Sequence, residues 1–315
     1  MEIAPILILG FKRPENVIEI IEAIRPESPR KVYFAVDGPR ANKPLDFLEV
    51  AKTQSAIHSI DWDCDVYTRF RETNLGLRRA IPDAVSWVLM NEDRLIVIED
   101  DAIPGPQVLQ FMSSQLNEFK DDNSVFHVSG YNLVPVNELT NPESTIRISR
   151  YPESYLWGSW SRAWKYYRDD LSGSKEFIKS SDLNYKEKII WRLNFKMAEL
   201  DLIHTWAYRW IYSMWINEGK CISPNRNLTN YVGQVDGTHT KRKTKVNELP
   251  IVHVDDLAYS SHADKDFRAD TWISSNVFHA NLLGLMEQVA AFLALFSIRF
   301  TQTLNPKKTN VVRDH

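Results

Sequence analysis

The stretch RLIVIEDDAIPGP, residues 94–106, decides the fold. Four apolar residues, 95–98, are followed at once by the carboxylates of Glu99, Asp100 and Asp101. A continuous apolar run of this length predicts a strand covered on both faces of a parallel sheet. The residues AIPGP predict that the chain turns directly after the acids. Burying like charges without a partner costs on the order of several kcal/mol each, so we expect a compensating ligand.

On both sides of this stretch, apolar strand patterns alternate with amphipathic helix patterns. Strands separated by helices predict parallel pairing, so we expect an α/β fold with a mostly parallel sheet flanked by helices. Ligands of such sheets bind beyond the carboxyl ends of the strands. The predicted strands are residues 6–9, 32–36, 65–70, 95–98 and 125–128, and the predicted helices are residues 14–24, 45–57, 77–90 and 106–119.

The second half of the chain is rich in aromatic residues and in helical patterns. Of the ten tryptophans, several cluster between Trp157 and Trp215. We predict helices over 161–168, 186–200 and 205–217, a loop-rich piece over 221–272, and a long last helix. The predicted divisions are a core of residues 1–135, its remainder with the acceptor side at 136–272, and a helix and tail at 273–315.

Composition excludes several classes of protein. The formal net charge is −3, which does not suggest a nucleic-acid partner. Two cysteines without a CxxC pair indicate no disulfide framework and a reducing compartment, so we expect a cytoplasmic protein. The first residues lack the pattern of a signal peptide, and no apolar stretch reaches the roughly 20 residues of a membrane-spanning helix.

The three acids predict a cation site. Carboxylate oxygens select hard divalent cations, Mg²⁺ or Mn²⁺, and a cation with few protein ligands keeps positions open for phosphates. The plainer alternative is a solvated strand end. The cation hypothesis requires the acids to face a cavity and not to be held in ion pairs with arginines.

The order of four segments resembles a known family. PILILGFKRPEN (5–16), VYFAVDGPR (32–40), RETNLGLRRAI (71–81) and LIVIEDDAIPGPQVLQFM (95–112) are similar to nucleotide-sugar glycosyltransferases of the GT-A, Rossmann-like fold. The likeness is nearest to family 2 and to the N-acetylglucosaminyltransferase I-like group. Two later segments, 154–167 and 223–240, resemble bacterial members that act in polysaccharide assembly.

The resemblance implies roles for individual residues. Asp101 is the expected metal ligand, joined by His239 in the segment ending THT. Plainer readings stay open for three residues: Phe11 as packing, Asp37 as part of a turn, and Asn74 as a cap of the following helix. The donor-binding set implied by the resemblance is Gly10, Phe11, Arg13, Asp37, Asn74, Gly76, Arg78, Glu99 and Asp100.

The acceptor is expected at the aromatic segment. Trp157, Gly158 and Trp160 are predicted to form a Gly/Ser loop whose rings stack on sugar C–H faces, with core packing as the alternative. Trp206, Trp210 and Met214 are four residues apart. They are predicted to line the buried face of a helix instead.

The general base of an inverting transferase is harder to place. Where the resembling eukaryotic enzymes carry acidic residues beside a tryptophan, this sequence has Ala207 and Tyr208. Asp201 and Glu199 are the substitutes we expect, although Asp201 is alternatively an ion-pair partner of Arg209. Inverting and retaining mechanisms both stay open.

These observations predict a metal-dependent glycosyltransferase. It would move a sugar from a nucleotide diphosphate sugar to a hydroxyl of a glycan or lipid-linked acceptor. The alternatives are a sugar nucleotidyltransferase and a non-catalytic sugar- or nucleotide-binding homologue. Residues 282–300 are too polar for a membrane span, which leaves a helix packed on the body or in a dimer, or an interfacial helix that contacts a membrane peripherally.

Overall fold

One sheet runs through the protein, with the acid-bearing stretch near its centre. The computed structural model describes residues 2–233, 249–254 and 263–304, with side chains as far as residue 297. The strands are β1 (Ile6–Gly10), β2 (Lys31–Val36), β3 (Asp65–Phe70), β4 (Arg94–Ile98), β5 (Ala102–Pro104), β6 (Val125–Ser129), β7 (Ile146–Ser149), β8 (Leu156–Trp160), β9 (Lys220–Pro224) and β10 (Thr229–Tyr231).

Helices cover the sheet and predominate in the second half of the chain, which also carries β9 and β10. The helices are α1 (Pro14–Ile24), α2 (Pro44–Ser55), α3 (Leu77–Leu89), α4 (Val108–Glu118), α5 (Ser161–Trp164), α6 (Ser174–Ser180), α7 (Tyr185–Glu199), α8 (Ala207–Ile216), α9 (Phe267–Asn276) and α10 (Leu282–Leu304).

The sheet is mostly parallel, as predicted. Its eight strands lie in the order β3-β2-β1-β4-β8-β6-β9-β7. Strands β1 to β4, β6 and β9 run in one direction, and β7 and β8 run against them. The predicted α/β, Rossmann-like class is therefore confirmed. Strands β5 and β10 pair separately as a short antiparallel ribbon.

The sequence explains why the first half folds in this way. Strands β1, β2 and β4 are continuous apolar runs and are buried along almost their whole length. Helix α1 begins with a proline at its first position, where the missing backbone N–H costs no hydrogen bond. Its apolar residues at helical spacing, Val17, Ile20, Ile21 and Ile24, are all buried against the sheet.

The aromatic segment departs from the prediction. Residues 156–160 form β8, a strand between β4 and β6, and not a loop. Gly158 is needed for packing: a Cβ there would lie 3.0 Å from the carbonyl oxygen of Leu95 and 3.1 Å from the side chain of Leu116. The glycine lets α4 pack closely on the sheet and does not make a flexible hinge. The helix expected over 161–168 is also shorter, ending at Trp164.

Helix α8 behaves as predicted. Trp206, Trp210 and Met214 are buried in one cluster with Trp157 and Trp164. A stripe of this spacing forms the apolar face of a helix packed on a sheet.

The imidazole of His127 is fixed in its neutral form inside this cluster. Its Nδ1 accepts a hydrogen bond from the indole N–H of Trp210 at 3.2 Å, so Nε2 carries the proton and donates to the carbonyl of Glu153 at 3.0 Å. The ring stacks on Trp157, with 5.2 Å between centroids. Burial lowers the pKa of His127 to about 3.

We expect acid to destabilise the protein through His127. The imidazole of the unfolded chain takes up a proton below its ordinary pKa of about 6.5, whereas the folded one stays neutral down to about 3. The free energy of unfolding should therefore fall as the pH drops from about 6.5, by about 2 kcal/mol at pH 5. Urea unfolding at pH 7 and pH 5 measures this loss. The variant His127→Gln should be less stable at both pH values but should not show this additional loss between pH 7 and pH 5. An identical pH dependence in both proteins would contradict the conclusion that His127 is buried in its neutral form.

Helix α10 projects along the surface after α9. None of the helices in the described ranges combines the length and the apolar character needed to cross a bilayer.

Candidate functional site

The predicted donor residues converge at the carboxyl edge of the sheet. Strands β1, β2 and β4 are neighbours, and their pairing brings Gly10 beside Val36 and Ile8 beside Ile98. The loops that follow these strands begin with Phe11, Asp37 and Glu99, so the three loops leave the same edge. This is where ligands of parallel α/β sheets bind.

Asp100 is compensated by an arginine. Nη1 of Arg13 lies 2.6 Å from Asp100 Oδ1, and Asn16 donates through Nδ2 to the backbone carbonyl of Asp100 at 2.8 Å. Burial raises the pKa of Asp100, while Arg13 and the backbone N–H of Phe11 oppose that rise. The loop after β1 is thereby tied to the turn after β4. Arg13 thus pairs closely with Asp100 and, at 3.8 Å, more loosely with Asp101, contrary to the requirement set out above.

Glu99 faces the loop before β8. Its backbone N–H donates to the carbonyl oxygen of Tyr155 at 2.8 Å, and the Tyr155 N–H approaches Glu99 Oε1 at 3.4 Å. Burial raises the pKa of Glu99 to about 8, and the neighbouring charge of Asp101 raises it further. Its carboxylate is therefore one that gains from a nearby cation.

Asp101 carries the least satisfied carboxylate of the three. Its Oδ1 is buried and accepts no hydrogen bond from the described residues, and Oδ2 lies 3.8 Å from Arg13. Burial, followed by repulsion from Asp100, raises its pKa to about 6. A Cβ on Gly233 would lie 2.9 Å from Asp101 Oδ2 and 2.6 Å from the hydroxyl of Tyr231, so the glycine backbone packs closely against both side chains.

A cation at these acids would have few protein ligands among the described residues. Within residues 2–233, 249–254 and 263–297, no group of three or more His, Cys, Asp or Glu side chains is arranged to hold a metal ion. A buried carboxylate oxygen without a hydrogen-bond partner, such as Asp101 Oδ1, suits Mg²⁺ or Mn²⁺ bound through one or two carboxylates, with phosphates as further ligands. His239, the second predicted ligand, lies outside the described residues.

Asp37 serves the architecture of the edge. Its carboxylate accepts hydrogen bonds from the backbone N–H groups of Leu75 and Gly76, each at 2.9 Å, and from Nδ2 of Asn74 at 3.0 Å. Asn74 also donates to the carbonyl of Gly38. The alternative that Asn74 caps α3 is wrong, because Gly76 occupies the N-cap position and no side chain caps it. Asp37 thus fixes the loop over residues 74–76.

We expect Gly38→Ala to disrupt this junction. A Cβ at position 38 would lie 2.4 to 2.6 Å from the backbone atoms of Thr73, so the loop has to move away from Asp37. Overpacking of this kind costs about 1–3 kcal/mol. Urea unfolding measures the loss, and amide hydrogen exchange should accelerate at Leu75 and Gly76 but stay unchanged at Ile8 in β1. Unaltered exchange at both loop amides would show that Asp37 does not hold them.

The first loop is held by packing on α2. Phe11 is half-buried against the core, and the guanidinium of Arg40 lies 5.7 Å from its ring centroid. A Cβ on Gly10 would approach the Thr53 methyl group at 3.0 Å, so α2 passes close to the end of β1. The interpretation that Phe11 packs against the core is confirmed by these contacts. Its half-exposed ring also lies at the carboxyl edge of the sheet.

Three tyrosines, which the sequence reading missed, line the acids. The rings of Tyr155 and Tyr231 are 4.6 Å apart, and Tyr131 meets Tyr155 edge-on at 5.1 Å. Tyr155 has φ of +80°, a strained conformation for an aromatic residue. Nothing in the periodicity marks these residues, because each lies in a loop or at a strand end. Tyr131 follows β6 closely, however, and its position after a buried strand was an available signal.

The acceptor-binding prediction for the tryptophan segment is wrong. Trp157 is 0% exposed and Trp160 is 3% exposed, and Gly158 is buried between them. Trp160 donates through its indole N–H to the carbonyl of Leu116. Neither ring offers a face to a sugar at the edge that carries the acids, because Trp157 is fully buried and Trp160 reaches only a groove at the opposite edge of the sheet.

The two predicted general bases, Asp201 and Glu199, form ion pairs away from the three acids. Asp201 forms ion pairs with Arg78, at short range, and with Arg209 at 3.8 Å, so the alternative that it is an ion-pair partner is confirmed. Arg78, expected at the donor, also binds Asp169. Glu199 pairs with Lys196 at 2.8 Å on an exposed turn of α7. These contacts tie α3 to the loop after α7 and do not join either acid to the triplet.

The opposite edge of the sheet carries a groove of about 550 Å³. It is lined by Pro5, Arg30, Arg94, Lys120 and Trp160, among others, which lie at the amino ends of the parallel strands or beside them. Cations and acids alternate in it, and it contains none of the predicted donor residues.

The fold and this edge define an α/β protein with a carboxylate-lined site. No protein-family model matches the chain, and no curated protein matches its sequence. Among solved structures the chain is similar to HddC from Yersinia pseudotuberculosis, with 13% identity over 56% of this chain and 86% of HddC, at a TM-score of 0.31. It is also similar to a UDP-glucose pyrophosphorylase solved with UDP-glucose, with 10% identity over 74% and 95% of the two chains and a TM-score of 0.39. At these identities and TM-scores, neither structure indicates what this chain binds.

Proposed function

We propose that the protein is a transferase acting on a nucleotide diphosphate sugar, which moves the sugar to a hydroxyl of a glycan or lipid-linked acceptor. One observation carries this proposal. The buried Oδ1 of Asp101, which accepts no hydrogen bond from the described residues, lies just beyond the carboxyl end of β4. Charged oxygens are left in this state where a cation and its phosphates complete the site.

Asp101 would hold a divalent cation, with Glu99 beside it. When bound, Mg²⁺ or Mn²⁺ supplies charge neutralisation for a departing diphosphate. Asp100 would act indirectly. Its ion pair with Arg13 fixes the turn after β4 and thereby the positions of Glu99 and Asp101. Glu99, anchored to the backbone of Tyr155, faces the same side and can accept hydrogen bonds from sugar hydroxyls.

The nucleoside would lie along the loops after β1 and β2. Phe11 offers a half-exposed ring at this edge, and Asp37 rigidifies the loop over residues 74–76 through the three hydrogen bonds that its carboxylate accepts. Asp37 therefore acts on the donor indirectly. A site pre-organised in this way loses less conformational entropy on binding.

The acceptor side would be formed by the tyrosines. Tyr155 and Tyr231 stand next to Glu99 and Asp101. Aromatic rings with polar tips can pack on apolar sugar faces and hydrogen-bond to hydroxyls. The strained backbone of Tyr155 is consistent with a residue held in place for a ligand.

A second candidate, a non-catalytic nucleotide-sugar-binding protein, is favoured by one observation. Helix α8 begins at Ala207, which provides no carboxylate, and Asp201 is engaged by two arginines. This candidate shares the donor site and lacks turnover.

A thermal-shift screen tests the proposal and separates the candidates. Sugar nucleotides with uracil, guanine, adenine and thymine bases are added with and without Mn²⁺. We expect one donor to raise the melting temperature strongly with the metal only, since a ligand at 100 times its Kd stabilises the fold by about 2.7 kcal/mol. Slow release of nucleoside diphosphate in that mixture supports the transferase, and binding without release supports the second candidate. No shift with any donor would overturn both.

A further inference from the structure

Helix α10 presents an unusually apolar surface to solvent. Over residues 282–297 it contains one charged residue, Glu287, and its exposed positions are otherwise apolar or small. The large apolar side chains exposed on it are Leu282, Leu283, Met286, Val289, Leu293 and Phe296.

The opposite side of the helix rests on the body. Its half-buried residues, Leu285, Phe292 and Leu295, recur at helical spacing, and α10 packs against α7. Gly284 is buried, and a Cβ there would lie 2.3 Å from the carbonyl oxygen of His279, so the helix begins in close contact with the chain before it. The exposed face is thus a defined outer face of a docked helix.

The exposed face is broad. At 100° per residue, the six large exposed apolar side chains between Leu282 and Phe296 span an arc of about 140°. The seam of a two-helix coiled coil is narrower and is flanked by charged residues that set the register. Only Glu287 borders this arc among the residues with described side chains. A broad apolar arc without flanking charged residues is better matched to the acyl region of a lipid bilayer than to a single partner helix.

The helix beneath it is basic. Helices α6 and α7, with the turn between them, span residues 174–199 and contain six lysines and arginines against four acids, one of which, Glu187, is buried in a capping box. The whole chain has a net charge of −3, so the positive excess is local. The cations that are exposed or half-buried are Lys175, Lys179, Lys186, Lys188, Arg192 and Lys196.

We propose that α10 and the basic surface of α6 and α7 dock the protein onto an anionic lipid bilayer. The apolar face enters the boundary between headgroups and acyl chains, and the lysines and arginines beside it meet lipid phosphates. An apolar helix face next to a cluster of four to eight cations is the combination that binds anionic membranes peripherally. This inference is independent of the sugar-nucleotide site.

Vesicle co-sedimentation of the full chain tests it. We expect binding to vesicles of phosphatidylcholine with phosphatidylglycerol, weaker binding to phosphatidylcholine alone, and loss of the difference in about 1 M NaCl, where the Debye length is about 3 Å. Met286→Glu with Leu293→Glu should lower the partition coefficient at least about tenfold, because charged side chains are expelled from the apolar phase. Lys186→Glu with Arg192→Glu should remove the preference for anionic vesicles.

The matched control is Leu45→Glu with Leu48→Glu, two exposed leucines on α2, and this variant should bind as the wild type does. All four substituted apolar positions are exposed, so circular dichroism should show unchanged folding. Absence of binding to anionic vesicles, or equal loss in the control, would overturn the proposal. A further result would also overturn it: the protein does not bind vesicles but forms a dimer in sedimentation velocity, and Met286→Glu with Leu293→Glu dissociates that dimer.

Discussion

Asp101→Asn is expected to abolish metal-dependent turnover of a nucleotide sugar, with a loss of at least about 10²- to 10³-fold, the magnitude seen when one preorganised electrostatic group is removed. The substitution keeps the shape of the side chain and removes the charge that a cation needs. We expect the metal-dependent thermal shift to disappear at the same time. Release of nucleoside diphosphate, followed over a range of Mn²⁺ concentrations, is the measurement.

The same variant should be no less stable than the wild type. The carboxylate of Asp101 is buried beside two other acids, so neutralising it removes repulsion and a desolvation cost. Asp121→Asn, an exposed aspartate at the opposite edge of the sheet, is the matched control and should keep full turnover. Full turnover in Asp101→Asn, or a lower melting temperature that accounts for its loss, would remove the basis of the proposed site.

Trp157→Ala is expected to cost about 3–5 kcal/mol of unfolding free energy, the usual range for a large aromatic residue in a core. The ring stacks between His127 and Trp206, with centroids 5.2 and 5.1 Å away, and contacts Trp164. The cavity left by the indole cannot close, because β8 is fixed on both sides by its neighbours. Guanidinium unfolding gives the loss directly.

Tyr185→Ala serves as the control for this prediction. Tyr185 is 79% exposed at the start of α7, so its truncation should change the stability by less than about 0.5 kcal/mol. A small stability loss in Trp157→Ala, combined with a higher KM for an acceptor, would restore the acceptor-binding interpretation that burial argues against.

The first half of the fold is predictable because local and global signals agree there. Strands β1, β2 and β4 are apolar runs, and the chain leads from each of them to a helix, after β4 by way of the short strand β5. Strand β8 could not be predicted in this way. Its sequence, LWGSW, combines a glycine and a serine that are typical of loops, and its partners lie at 94–98 and 128–129, beyond any local window.

The location of the site was predictable, and its internal contacts were not. Motif residues after parallel strands must meet at one edge, which brought Arg13, Asp37 and Asp101 together. That Arg13 pairs with Asp100 and only approaches Asp101 depends on side-chain geometry at the level of one ångström. Asp201 was misplaced for a related reason: it has a positive φ of 52° after α7, and this turn directs it to Arg78.

The position of β8 between β4 and β6 has a consequence for synthesis. During translation, β4 and β6 leave the ribosome before the strand that joins them, and their facing edges stay unpaired until Trp160 has emerged. Exposed strand edges are templates for aggregation. A nascent chain arrested near residue 135 would hence need chaperone protection. A chain arrested well beyond residue 160 could already pair β8 with β4 and β6.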